Sequence, residues 1–222
     1  MLSEWFPNVK WDKMWEATTE TLYMTSISVI ATFIIGIILG LLLFLTSKGN
    51  IWENKIVNLI ISAFVNIFRS IPFLILIVLL IPFTRLLLGT MIGENAALPA
   101  LIIGASPFYA RMVEIALREI DKGVLEAAKS MGAKTSTIIW KVLLPESMPA
   151  LVSGITVTAI ALVGYTAMAG VIGAGGLGNL AYLEGFQRTR NDVTLMATII
   201  ILIIVFVIQF IGDLITEKLD KR

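Results

Sequence analysis

The side chains able to do chemistry in this sequence are carboxylates, hydroxyls, lysines and arginines, because it contains neither cysteine nor histidine. Without cysteine there is no disulfide, thiolate nucleophile or thiolate metal site. Without histidine the commonest metal ligand and the usual neutral-pH acid/base are gone. No catalytic group and no metal set is expected. Two glycine patterns invite a nucleotide reading. Gly173-Ala174-Gly175-Gly176-Leu177-Gly178 matches GxGxxG, but that fingerprint needs a preceding strand in a βαβ unit, and here it follows a long apolar run. A mobile glycine-rich turn is the better reading. Gly132-Ala133-Lys134-Thr135 lacks the glycine that must precede the lysine of a phosphate loop. If ATP drives this protein, another polypeptide must bind it.

Four ionisable residues near the membrane are the remaining candidates. Arg111, Glu114 and Arg118 fall on one helix face at i, i+3 and i+7, a spacing that lets them satisfy one another. Arg69 has no acid nearby in sequence; it either reaches the interface or pairs across helices.

The elements that position these residues are membrane spans. The chain is 57% hydrophobic and only 15% charged, with mean hydropathy +0.90, whereas a soluble domain keeps about 25% charged residues. A net charge of +1 offers no basic field for nucleic acid. Runs long enough to cross a bilayer lie at about 21–46, 56–83, 96–117, 148–172 and 193–215. The fold class is therefore an all-α integral membrane protein of five transmembrane helices, with Arg69 and Pro72 interrupting the second. Residues 1–17, with Trp5, Trp11 and Trp15, read as an interfacial segment.

Lysine and arginine crowd the first and third connections and the tail (Lys218, Lys221, Arg222), which places the N-terminus outside and the C-terminus in the cytoplasm. Gly36 and Gly40 form a GxxxG packing face in the first span, and small residues line the fourth.

Residues 118–147, between the third and fourth spans, are too polar to cross and too patterned for a loose loop. Asp121 caps a short helix carrying Glu126, Ala127 and Ala128, and Gly132 stops it. Thr135 or Ser136 caps a second helix, which Pro145 closes. This predicts a cytoplasmic helix pair.

Glu126-Ala127-Ala128, three residues, Gly132, nine residues, then Val142-x-Leu144-Pro145 resembles the EAA motif of ABC importer permeases, with valine where the family usually has isoleucine. RSIPFLILIVLLIPFTR, ASPFYARMVEIALREID and GYTAMAGVIGAGGLGNLAY resemble the methionine-importing branch, and the likeness runs from Thr18 onward. The resemblance implies that Glu126, Ala127, Ala128, Gly132, Ala133, Leu144 and Pro145 belong to a coupling element docking on an ATP-hydrolysing subunit. It further implies a homodimer, two such subunits that hold ATP and Mg, and an extracytoplasmic substrate-binding (lipo)protein. Methionine, L- and D-, would enter a bacterial cell across its inner or plasma membrane by alternating access.

Candidates for the path and gate are Ser106, Pro107, Phe108, Tyr165, Thr166, Met168, Gly173, Gly175, Gly176 and Gly178. Nothing in composition or spacing names methionine, and another small solute would fit as well. An ion-coupled secondary transporter usually shows internal repeats and buried acids or histidine, and a scaffold has no need of a patterned cytoplasmic helix pair; both readings are weaker.

Overall fold

A computed structural model describes residues 6–220; Trp5, Lys221 and Arg222 lie outside the described residues. Helix α1 runs Trp11–Thr46, beginning well before the expected edge near Thr21. The early turns are stabilised by burial of Met14 and Ala17 beside Val193 and Leu177, while Trp11 and Trp15 stay exposed. At 1.5 Å per residue α1 is about 54 Å long, so it projects beyond a hydrocarbon core of roughly 30 Å.

The second apolar region is two helices, α2 (Lys55–Ser70) and α3 (Phe73–Leu88), bent by 111°. Ile71 precedes Pro72 and is held extended at φ −80°, ψ 122°, as the residue before a proline must be. Asn54 caps α2 by accepting from the N–H groups of Ile56 and Val57. Helix α4 (Glu94–Arg118) is the third span.

Gly36 and Gly40 bring α1 against α4. A Cβ on Gly36 would lie 2.5 Å from the Tyr109 ring, and one on Gly40 would lie 2.5 Å from Val113 Cβ and 2.7 Å from the Ala110 carbonyl oxygen. The GxxxG face is thus used inside the subunit.

Helix α5 (Lys122–Ser130) and helix α6 (Thr135–Ile138) form the expected connection. Pro145 does not close the second helix. A π turn at Ile139–Leu143 links α6 to helix α7 (Leu144–Val171), giving one continuous element, Thr135–Val171. In a regular helix the Pro145 ring clashes with the carbonyl four residues back. The widened turn, closed by the Leu144 N–H on the Ile139 carbonyl, removes that conflict.

After Val171 the chain turns through Gly173 and Gly175 into helix α8 (Gly176–Leu180), a second π turn (Ala181–Phe186), and the last span, α9 (Asn191–Leu219). Four clusters make the core of the described residues: one around Tyr109, Leu117, Leu143 and Leu151, one around Met24, Leu101 and Leu162, one around Leu177, Val193 and Ala197, and a small one of Leu43, Val65 and Ala110.

Candidate functional site

The connection between α4 and α6 forms a stiff elbow. Asp121 accepts from the Gly123 N–H at 2.7 Å and caps α5 as expected. At its other end, the Ala133 N–H bonds the Ala128 carbonyl (3.1 Å) and the Gly132 N–H bonds the Lys129 carbonyl (2.9 Å). These two bonds, with Gly132 at φ +76°, make a Schellman stop. Neither Thr135 nor Ser136 caps the second helix: Lys134 holds the N-cap position and no side chain bonds there, because the chain swings straight from the Schellman turn into α6.

The two alanines of the pattern divide their work. Ala128 is buried against the element's own core with Ile138, Leu143 and Leu144, and Ala133 packs beside it. Ala127 is exposed and shares a face with exposed Val124 and Met131 by helical spacing. Only Ala127 is therefore free to give a partner room. Glu126 lines a cleft of about 490 Å³ between α5 and the α1–α2 connection, among Lys48, Arg118, Lys122 and Lys129. Pro145 lines a different recess, beside Ala116, Glu119 and Leu219.

The charge ladder forms as its spacing predicts. Buried Glu114 accepts from Arg111 Nη1 through one oxygen, and from Arg118 Nε (3.1 Å) and Nη2 (2.7 Å) through the other. Arg111 also donates to Asn66 Oδ1 on α2 at 2.9 Å, tying α2 to α4. Arg69 is not in this network. Its guanidinium lies 6.0 Å from the centre of the Phe108 ring on α4, so it pairs across helices with an aromatic face.

The path candidates separate into two groups. Phe108 and Tyr165 line an open groove of about 260 Å³ with Phe68, Arg69, Ile71 and Phe73 at the α2–α3 bend, and Tyr165 stacks on Phe73 at 4.4 Å. Met168 is exposed. Ser106, Pro107 and Thr166 face the subunit's interior instead. Their helix faces are turned inward, and the two hydroxyls are bonded to the carbonyls of Ile102 and Val163.

The Gly173–Gly178 turn is pinned rather than loose. Glu20 Oε2 accepts from the Gly176 N–H (2.6 Å), Thr21 Oγ1 from the Leu177 N–H (2.9 Å), and the Gly173 carbonyl from the Gly93 N–H (2.9 Å). A Cβ on Gly178 would lie 2.3 Å from Ala167 Cα, so α8 sits directly on the backbone of α7. Sequence reasoning missed these anchors; Glu20, the last acid of α1 before its long apolar run, was the available signal.

It also missed the cluster around Glu184, which takes Lys13 (3.2 Å), Arg188 (2.8 Å) and Arg190 (3.1 Å). The hydrogen bond from Lys13 is the largest influence on this carboxyl. Burial opposes it, and the charges of Arg188, Lys13 and Arg190 reinforce it, so its pKa lies below the ordinary value.

The model of the family described as "Binding-protein-dependent transport system inner membrane component" matches residues 32–222. The chain belongs to this family. The methionine import system permease protein MetP of Bacillus subtilis (strain 168) is 71% identical over 222 residues, all of both chains. The probable D-methionine transport system permease protein MetI of Pasteurella multocida (strain Pm70) is 49% identical, covering 96% of this chain and 98% of the relative. Among solved structures, an inward-facing MetNI methionine ABC transporter aligns at TM-score 0.93 with 46% identity, over 96% of this chain and 100% of the other. The chain thus shares its all-helical membrane fold with that transporter's matched chain.

Proposed function

We propose that this chain is the membrane-spanning subunit of an ATP-driven importer that carries methionine, L- and D-, into the cell. It acts as a homodimer with two ATP-hydrolysing subunits, where ATP and Mg bind, and an extracytoplasmic binding (lipo)protein. The observation that carries this reading is the α5–α6 elbow: α5 is capped at both ends, rooted in the core through Ala128, and presents Val124, Ala127 and Met131 outward, while α6 continues into the fourth span. A rigid lever with an exposed apolar face transmits a partner's movement into the bundle without bending. Substrate choice is supported by what the relatives' names state.

The elbow lies in the cytoplasm and the N-terminus outside, as the distribution of lysine and arginine favours. Residues 18–215 form the permease domain, with short flanks at each end. Alternating access moves methionine between the two copies past the fourth span.

The test is uptake of labelled methionine in cells lacking their own import, with this chain alone or with its ATPase and binding protein. Uptake is expected only with both partners and is lost in Glu126→Lys. Stable assembly with the ATPase but no methionine uptake would move the substrate to another small solute.

A further inference from the structure

The groove at the α2–α3 bend holds a cation whose presence the fold does not explain. Arg69 stands on the last turn of α2 and is exposed in the single subunit. Among the described residues it makes no ion pair and no hydrogen bond, only the contact with the Phe108 ring. Phe108 and Gly104 flank the midpoint of the 25-residue α4, so the guanidinium sits deep in the membrane-crossing part of the molecule. An arginine at that depth does not face hydrocarbon; it faces a polar path or a charged ligand. The surrounding wall is aromatic and apolar: Phe73 stacked on Tyr165, with Phe108, Ile71 and Leu76. The Tyr165 hydroxyl has no hydrogen bond among the described residues. The bend itself creates the space, since a straight second span would carry Arg69 and Phe73 along one continuous helix surface.

We propose that this groove is a transit site for the amino-acid substrate, in which Arg69 takes the α-carboxylate and the Phe73–Tyr165–Phe108 wall takes the apolar side chain. The assignment rests on the permease reading above. A forked guanidinium matches a carboxylate, and a thioether packs favourably against ring edges. No carboxylate lines the groove to hold the substrate ammonium. The site therefore binds weakly, as a path that must also release its cargo requires. Two points of attachment do not define the handedness at Cα, so the site accepts D- and L-substrate alike. Broken spans commonly place substrate sites at such interruptions.

This chain has no cysteine of its own, so one thiol introduced into it is followed by the mass of the labelled permease. Ile71→Cys is introduced in the permease–ATPase complex reconstituted in nanodiscs, and its labelling by a small thiol reagent is timed. L-methionine and D-methionine are expected to slow labelling to a similar extent. Methioninol, which keeps the side chain and ammonium but replaces the carboxylate by a hydroxymethyl group, is expected not to. Adding Arg69→Gln should abolish protection and, in proteoliposomes with the ATPase and binding protein, lower uptake by about tenfold or more, the loss of one charge-assisted contact; Arg69→Lys should restore part of both. Equal protection by methioninol, or protection that survives Arg69→Gln, would overturn the site. If the Ile71→Cys complex imports methionine with its partners yet shows no protection, the permease reading stands and the transit site fails. Gel filtration of each complex separates a lost site from lost assembly.

Discussion

Glu114 shows how much a single buried charge governs in an apolar bundle. Its two oxygens are shared between Arg111 and Arg118, and Arg111 extends the contact to Asn66 on α2. Removing one partner of a fully buried pair costs about 3–5 kcal/mol; the loss here is smaller, because Arg111 keeps Asn66 and Arg118 is half in solvent. Glu114→Ala should still lower the thermal midpoint of the purified complex, and more than Arg118→Ala, whose side chain is half in solvent. A melting curve for each variant decides this.

Glu184 acts on the other end of the bundle by the same physics. Its folded pKa is depressed, so the cluster contributes stability above the ordinary carboxylate value of 4.5 and loses it as pH falls through the lower folded value. Stability measured from pH 7 downward should decline more steeply in the parent than in Glu184→Gln, which lacks that titration. Equal acid limbs would show that the cluster carries no such linkage.

At the scale of elements, the glycines separate by what surrounds them. Gly40 faces backbone and a β-branched side chain at under 3 Å, whereas a Cβ on Gly164 would meet nothing within 4 Å. Gly40→Leu should drive α1 off α4 and reduce folded protein in the membrane, while Gly164→Ala should leave its level unchanged; immunoblotting of membranes reads both. Gly132 differs again, because its cost is conformational. A side chain forced to φ +76° there costs about 1–2 kcal/mol and loosens the Schellman stop. Gly132→Val should leave the protein in the membrane at near-normal levels but sever uptake from ATP hydrolysis. Hydrolysis and uptake measured together in proteoliposomes check it, and normal coupling would remove the lever from the mechanism.

The whole molecule is a five-span bundle with one broken span and one span that continues into the elbow. Because α6, the π turn and α7 are continuous, a push on the elbow reaches Tyr165 and Met168 through a single helix rather than across a loose joint. At the opposite end, α7 is locked to the glycine turn and through it to Glu20 and Thr21 of α1. Motion of α7 must therefore carry α8 and the start of α1 with it.

The five apolar runs, the helix start at Asp121, the stop at Gly132 and the Arg111–Glu114–Arg118 ladder were legible in the sequence. Each depends on local chemistry: a capping oxygen, a left-handed glycine, a spacing of three or four residues, or a length matched to the bilayer. The elbow's continuation through Pro145 was not legible, because the π turn that accommodates the ring has no sequence signature of its own. Nor was the inward facing of Ser106, Pro107 and Thr166, since every face of these spans is apolar and periodicity cannot tell core from path. The groove at Arg69 draws on α2, α3, α4 and α7. Residues so far apart in the chain meet only when the helices pack, so the tertiary structure alone decided that an unpaired arginine would look onto an aromatic wall.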